Sequence, residues 1–169
     1  MSSLQTTIGR EVTYTGIGIH TGQSTTVKIK PAEPNTGYIL CRLDLPGKPC
    51  IPMTVENVTE TNRCTTIGNG EVKVKTVEHI LAALHGSGIH NAQVEGIGPE
   101  IPIADGSAAC FCQLIESAGT IVYNEPGRRY LLEQPCWVSQ GDAHLVALPH
   151  PELKISYSFV SDHPVVGNQ

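Results

Sequence analysis

A glutamate and a histidine stand side by side at positions 78 and 79, in the segment TVEHILAALHG. The apolar residues around them recur at i, i+3, i+4 and i+7, which predicts an amphipathic helix over 76–85, with Thr76 as its N-cap and Gly86 just past its end. Those apolar positions are Val77, Ile80, Leu81 and Leu84. Because successive helical residues lie about 100° apart, we expect Glu78 and His79 to project away from the core, into solvent or a cleft.

This pair carries the chemical groups of a hydrolytic zinc site. A neutral imidazole is a common zinc ligand, and an adjacent carboxylate can take a proton from a metal-bound water. The alternative is an exposed helix N-terminus, where the helix dipole alone favours a glutamate. The spacing does not form an HExxH motif, and His85 lies on another face of the predicted helix. On spacing alone, the exposed terminus is therefore the commoner interpretation.

Two further candidate residues lie in glycine-containing loops. His20 stands in the segment TGIGIHTG, where glycines allow backbone amides to approach a phosphate that the imidazole could also contact. A plain turn histidine is the commoner alternative at such a position. Asp105, in the segment IPIADGS, is interpreted as a turn former or as an acid near a helix N-terminus.

Alternating apolar residues predict strands before the glutamate–histidine helix. A strand over 6–19 leads into the glycine-rich turn, and 24–30 is predicted to form a hairpin with 38–43. A second hairpin is predicted over 63–75, because two β-rich arms flank the turn Gly68-Asn69-Gly70. These strands would supply the sheet against which the helix packs.

The elements after the helix complete a two-layer arrangement. A strand is predicted over 92–96, and a second helical stripe over 108–118 has Ser107 as its cap and Gly119 as its stop. Strands, a helix, a strand and another helix predict the α+β class: a two-layer sandwich of a mainly antiparallel sheet with two helices.

The last part of the chain returns to a strand pattern. The segment GDAHLVALPHPELKISYSF has the same layout as the earlier GQSTTVKIKPAEPNTGYIL, which indicates a weak internal repeat. We therefore predict a first sandwich domain over 1–120 and the incomplete start of a second, similar sandwich over 121–169. The strands predicted in that second part are 129–132, 136–138, 144–148 and 154–160.

Composition limits the class of protein. Hydrophobic residues make up 40% of the 169 residues, which is enough for a buried core, and the net charge of −5 argues against nucleic-acid binding. The longest apolar runs, 80–84 and 108–112, are far shorter than a membrane span, and the start of the chain shows no signal peptide. We expect no transmembrane segment, a cytoplasmic location, and six cysteines that are reduced thiols rather than a disulfide framework.

Three segments together resemble a known family. TGIGIHTG, then RCTTIGNGEVKVKTVEHILAALHGSGIHNAQVE, then GPEIPIADGSAACFCQLIESAG are similar to the bacterial UDP-3-O-acyl-N-acetylglucosamine deacetylases, the zinc enzymes of lipid A biosynthesis. The resemblance runs in order over residues 4–120 and continues more weakly to the segment DHPVVGNQ. The combination of TVEH with PEIPIADGS at this separation is more specific than either motif alone.

The resemblance implies a fold and a set of roles. The fold is two similar α+β sandwiches with the active site between them, and the substrate is a UDP-linked acylated amino sugar. His79 corresponds to the family's first zinc ligand, Glu78 to its general base, and His20 to a histidine near the substrate's diphosphate. In the implied reaction, zinc polarises the acetamide carbonyl and acidifies its water, Glu78 removes the proton, and a tetrahedral oxyanion precedes departure of the amine.

The resemblance also implies that part of the site lies elsewhere. The family's remaining zinc ligands, a His and an Asp in an HxxxD pattern, and a further catalytic His belong to the second domain, and no HxxxD occurs in these residues. We expect this polypeptide alone to bind zinc poorly and to be inactive. The alternatives are a noncatalytic nucleotide-sugar binding module that has lost the metal-binding half, or a module that self-associates through its exposed strand face. Whether the reading frame continues past Gln169 would separate these readings.

Overall fold

A computed structural model describes residues 4–70, 72–128 and 130–167. The chain divides into two compact units, Met1–Gly127 and Arg128–Gln169. The strands of the first unit are β1 (Leu4–Ile8), β2 (Val12–Ile17), β3 (Ser24–Pro31), β4 (Tyr38–Arg42), β5 (Cys50–Pro52), β6 (Val58–Glu60), β7 (Thr66–Asn69), β8 (Val72–Val74), β9 (Ala92–Ile97) and β10 (Thr120–Pro126). Its helices are α1 (Glu78–Gly86) and α2 (Ala109–Ala118), and a short 3-10 turn precedes β6.

The central sheet of the first unit has five strands in the order β2-β3-β9-β4-β5. All neighbours are antiparallel except β4 and β9, which are parallel. In β3 the side chains of Thr25, Val27 and Ile29 are buried while their neighbours are more exposed, because successive strand residues point to opposite faces. A three-stranded sheet of β6, β7 and β8 and the pair β1-β10 complete the strand layer.

Both helices pack their apolar stripes into one core with the central sheet. Ile80, Ala83 and Leu84 of α1 are fully buried, and Phe111, Ile115 and Ala118 are the buried residues of α2. The ring of Phe111 meets that of Tyr14 in β2 edge to face, with ring centroids 5.8 Å apart. The α+β class and the two predicted helices are confirmed.

One predicted hairpin is wrong and one is confirmed. Residues 24–30 and 38–43 do not pair with each other, because β9 lies between β3 and β4 and bonds to both. The loop after β3 is long enough to cross the roughly 10 Å between strands two positions apart. The hairpin around Gly68-Asn69-Gly70 is present as β7 and β8, although Glu71 lies outside the described residues.

The strand predicted over 6–19 is two separate strands. β1 is not part of the central sheet and pairs with β10 instead. The N–H of Gly9, between β1 and β2, donates to the carbonyl of Gly119 at 2.8 Å. β10 is the partner of β1 and belongs to the first unit, which extends to Gly127, beyond the predicted domain boundary at residue 120.

The predicted cap of α2 also differs. Gly119 ends the helix as predicted, with a positive φ of 72° that suits glycine. At the other end, the capping position is Ala108, and the Oγ of Ser107 accepts the N–H of Ala109 at 3.1 Å. Ala108 already has right-handed helical dihedrals and makes no side-chain capping bond, so the predicted residue Ser107 supplies the side-chain oxygen at this end of the helix although it stands one residue before the capping position.

The second unit contains one hairpin among its described residues, formed by β11 (Cys136–Gln140) and β12 (Ala143–Ala147). The strand predicted over 154–160 is not formed, nor is one at 130–132, and Arg129 lies outside the described residues. Strands form only where a partner completes the ladder, and no described strand pairs with these segments. Large apolar side chains of this unit remain exposed, among them Trp137, Leu145, Ile155 and Tyr157.

Two of the six cysteines are joined, which corrects the expectation of six reduced thiols. Cys41 of β4 and Cys50 of β5 are direct cross-strand partners and form a disulfide. The antiparallel register brings their β-carbons together, a proximity that the sequence spacing of the cysteines did not reveal. Cys64, Cys110, Cys112 and Cys136 are outside disulfides. Both described helices, at 9 and 10 residues, are too short to cross a bilayer.

A buried arginine ties β4 to β8. Arg42 holds Asp44 through two bonds, Nε to Oδ1 at 2.9 Å and Nη2 to Oδ2 at 2.7 Å, and its Nη1 donates to the carbonyl of Lys73 at 3.0 Å. This hydrogen-bonded guanidinium lowers the pKa of Asp44 from its ordinary 3.8 to about 2. The pair therefore favours the folded state whenever Asp44 is ionised.

Replacing Asp44 by Asn is expected to lower the free energy of unfolding at pH 7 by about 1 kcal/mol, because the ionised partner of Arg42 is lost and solvent screens part of its charge at this exposed position. The contribution is complete above the unfolded pKa and disappears as the pH falls from 3.8 towards about 2. Urea denaturation at pH 7, 4, 3 and 2 should therefore show a difference between wild type and variant that shrinks with acidity. Glu33→Gln, at an exposed position, serves as the control, and a constant difference at every pH would contradict the assignment.

Candidate functional site

Glu78 and His79 occupy the first turn of α1 and are only partly buried. Their neighbours Val77 and Ile80 are completely buried in the core, so the acid and the imidazole lie on the opposite side of the helix, as the periodicity predicts. One carboxylate oxygen of Glu78, Oε2, accepts the N–H of Thr65 at 2.9 Å. This bond orients the carboxylate.

The residue before this turn has an unusual backbone. Thr76 has a φ of +61°, a left-handed conformation that is rare for a β-branched side chain. The predicted N-cap is wrong: Val77 holds the capping position, and Thr76 turns its hydroxyl to Oε1 of Glu100, to which it donates at 3.0 Å. A strained residue that a buried hydrogen bond holds in place is a common feature of functional sites.

Replacing Thr76 by Val is expected to lower the free energy of unfolding by about 1.5–3 kcal/mol, because the variant keeps the shape and the strain but loses a hydrogen bond to a charged group. Urea denaturation at neutral pH measures the change. Thr76→Ser keeps the hydroxyl and should lose clearly less. A Thr76→Val variant as stable as the wild type, with a loss only in Thr76→Ser, would show that the methyl group, and not the bond to Glu100, stabilises this turn.

Glu100 joins two segments that are far apart in sequence. Its side chain is buried, with 2% of its surface exposed, and accepts four hydrogen bonds. The donors are the N–H of His20 at 3.0 Å, the N–H and the hydroxyl of Thr21, both at 2.8 Å, and the hydroxyl of Thr76 at 3.0 Å. Burial raises the pKa of Glu100, but the four hydrogen bonds lower it by more, and the pKa lies below its ordinary value.

The carboxylate of Glu100 holds the glycine-rich loop after β2 through hydrogen bonds. A β-carbon at Gly18 would lie 2.3 Å from Oε2 of Glu100, so this position requires glycine. The loop amides were expected to approach a phosphate, but those of His20 and Thr21 both donate to Glu100. The side chain of His20 is exposed. The contact that this loop can offer an external anion is thus the imidazole of His20, and not these two amides.

Asp105 lies close enough to His79 for their charges to interact. Its Oδ1 accepts the N–H of Ser107 at 3.0 Å and the hydroxyl of Ser107 at 2.8 Å, which confirms the predicted role as a turn former. These bonds to Ser107, followed by a weaker contribution from the charge of His79, hold the pKa of Asp105 below its ordinary value. The loop after Glu100 therefore brings one acidic group within electrostatic range of the imidazole.

The donor set is incomplete for a catalytic metal. Within residues 4–70, 72–128 and 130–167, no group of three His, Cys, Asp or Glu side chains could hold a metal ion. A catalytic zinc needs about three protein ligands. The described residues thus bring together an imidazole and a carboxylate at the start of α1, but they do not fit zinc on their own.

Comparison with known proteins shows a family relationship over nearly the whole chain. Residues 5–169 match the family described as LpxC: UDP-3-O-acyl N-acetylglycosamine deacetylase. The chain is 41% identical over 167 residues to a UDP-3-O-acyl-N-acetylglucosamine deacetylase of Nostoc sp., covering 98% of this chain and 60% of that protein. Proteins of the same name from Citrifermentans bemidjiense and Chlamydia abortus are 41% and 43% identical, with 54% and 59% of their lengths covered. The chain thus spans little more than half the length of these relatives.

Proposed function

Since the chain belongs to the UDP-3-O-acyl N-acetylglycosamine deacetylase family, we propose that it forms part of an enzyme that removes acetate from UDP-3-O-acyl-N-acetylglucosamine in lipid A biosynthesis. We place this reaction in the cytoplasm as part of the same proposal. The observation that carries it is the partly exposed pair Glu78 and His79 at the start of α1, held beside the loop that bears His20 through one shared carboxylate. The proposed substrate is supported by the relatives named UDP-3-O-acyl-N-acetylglucosamine deacetylase.

In this proposal Glu78 is the general base. Its carboxylate takes a proton from the water that attacks the amide carbonyl, and the bond from Thr65 keeps it in position while it does so. The atoms of the reaction are an amide and a water as reactants, with acetate and a free amine as products. The helix turn contributes orientation, because Glu78 and His79 are fixed relative to each other by the backbone of α1.

The proposed cofactor is zinc, and His79 would supply one of its ligands. The remaining ligands have to come from outside the described residues, which hold no group of three. His20 would face the diphosphate of the substrate, since its imidazole is exposed and carries positive charge when protonated. The second unit, 128–169, would begin a second α+β sandwich.

A second candidate function is a nucleotide-sugar binding module without catalysis. The observation that favours it is the exposed imidazole of His20, on a loop whose amides at His20 and Thr21 already donate to Glu100. A related proposal is self-association through the second unit, whose large apolar side chains are exposed within the described residues. Sedimentation velocity over a range of concentrations tests that proposal, and a monomer at all concentrations would exclude it.

The decisive experiment joins residues 1–169 to the remaining segment of the Nostoc relative. This chimera should bind zinc and release acetate from UDP-3-O-acyl-N-acetylglucosamine, whereas the 169-residue chain should show neither activity nor a tight one-to-one zinc site in calorimetry. A chimera that folds and binds UDP but releases no acetate would favour the binding module. A tight zinc site in the chain alone would contradict the proposed division of the ligands.

A further inference from the structure

We infer that Glu100 is a positioning residue. Its carboxylate accepts the backbone N–H groups of the glycine-rich loop in the place of an external anion, and it fixes that loop to the turn that begins α1. The inference rests on the proposed function, in which His20, Glu78 and His79 act on the same substrate. Glu100 would keep His20 at a fixed position relative to Glu78 and His79. Glu100 itself is buried and does not contact the substrate in this arrangement.

The first part of the argument is the loop. Oε2 of Glu100 accepts both the N–H and the hydroxyl of Thr21, and Oε1 accepts the N–H of His20. Two successive backbone N–H groups that converge on one anion form a nest of the kind that binds phosphates in other proteins. Here the nest is occupied from within the chain. The glycine at 18 is required for the carboxylate to come this close.

The second part is the turn before α1. The same carboxylate accepts the hydroxyl of Thr76, whose left-handed backbone directly precedes the buried Val77. That backbone sets the direction in which Glu78 and His79 leave the core. Because Glu100 holds Thr76 with one oxygen and the loop with both, a shift of either segment would break hydrogen bonds to a buried charge.

The consequence concerns how an anionic substrate is recognised. A phosphate cannot enter the nest, since it would meet the negative charge of Glu100 at hydrogen-bond distance. The diphosphate would instead be met by the imidazole of His20, whose backbone is already fixed before the substrate arrives. A preorganised contact of this kind loses little entropy on binding.

The test uses the 169-residue chain labelled with ¹⁵N. Glu100→Gln keeps the size of the side chain but replaces one acceptor oxygen by an NH₂ group. The amide protons of His20 and Thr21 should then exchange with solvent about tenfold faster or more, because their carboxylate acceptor is lost. The matched control is Glu95→Gln, another buried carboxylate, which bonds to Lys30 and Gln93 in the central sheet. It should leave both exchange rates unchanged.

Chemical rescue separates positioning from general destabilisation. Glu100→Ala vacates the nest, and added acetate should restore slow exchange at His20 and Thr21, whereas the same concentration of chloride should not. Faster exchange throughout the sheet, or identical exchange in the wild type and in Glu100→Gln, would overturn the inference. If the Glu100 variants do not fold, Thr21→Val removes one donor and keeps the carboxylate. It should speed exchange of the His20 amide, and an unchanged rate would again overturn the inference.

A titration with UDP distinguishes failure of this inference from failure of the proposed function. UDP should shift the imidazole resonances of His20 in the wild type, and binding should weaken about tenfold in Glu100→Gln but not in Glu95→Gln. If the wild type shows no shift, the proposed role of His20 fails, while the exchange rates still decide the role of Glu100. If the wild type binds and Glu100→Gln binds equally well, the positioning role is excluded.

Discussion

Replacing Glu78 by Gln in the chimera with the Nostoc segment is expected to lower kcat/KM for acetate release by about 10²–10⁴, the usual contribution of a general base. The amide of Gln keeps an oxygen that can accept the N–H of Thr65, so the start of α1 should stay intact. What is lost is the ability to take a proton from water. The measurement is the initial rate of acetate release at several substrate concentrations, and the loss should appear in kcat rather than in KM alone.

The matched control for this variant is Glu116→Gln, which changes an exposed carboxylate on α2. Its activity should equal that of the unmodified chimera. Circular dichroism of both variants confirms that the helices are retained. Activity of Glu78→Gln within a few-fold of the unmodified chimera would remove Glu78 from the reaction and leave only its bond to Thr65 as its role.

Replacing Phe111 by Ala is expected to lower the free energy of unfolding by about 3–5 kcal/mol, because it leaves a cavity in a completely buried part of the core. Phe111 packs α2 onto Tyr14 of β2, and β2 leads directly into the loop that carries His20. The stability loss should therefore be accompanied by faster exchange of the loop amides. Urea denaturation of the 169-residue chain measures the first effect.

Gln113→Ala is the control for Phe111→Ala, since it changes an exposed position of the same helix. It should alter stability by less than about 0.5 kcal/mol. A Phe111→Ala variant that is as stable as this control would mean that the core collapses around the missing ring. In that case the contact between Phe111 and Tyr14 is not what holds α2 against β2.

Local patterns predict the parts of this fold that are themselves local. The period of the apolar residues predicts α1 and the direction of Glu78 and His79, because both depend on the geometry of one helix. The hairpin of β7 and β8 follows from the turn Gly68-Asn69-Gly70 between its arms. The position of β9 between β3 and β4 could not be predicted in this way, because it depends on pairing between strands that are distant in the chain.

The same limit applies to the candidate site. Glu100 stands in the segment PEIPI, within the motif GPEIPIADGS that carries part of the family resemblance, yet its residue type and spacing do not indicate its role. Its donors His20 and Thr21 are 80 and 79 residues away. The available signal was a carboxylate within an apolar run, a placement that requires hydrogen-bond partners when it is buried. The positive φ of Thr76 could not be predicted from its residue type, because threonine is common at helix N-caps and rare in the left-handed conformation.

The pairing of β1 with β10 affects the order in which the strands of the first unit can pair during synthesis on the ribosome. Ile8 and Thr120 are register partners, so β1 cannot complete its ladder until β10, more than 100 residues later, has been synthesised. Contacts of such long range slow folding, and the waiting strand can pair with strands of other nascent chains. In a recombinant fragment that stops at 120, β1 would stay without its β10 ladder and open to pairing with other chains. A fragment that extends to Gly127 would contain β10 and complete the ladder.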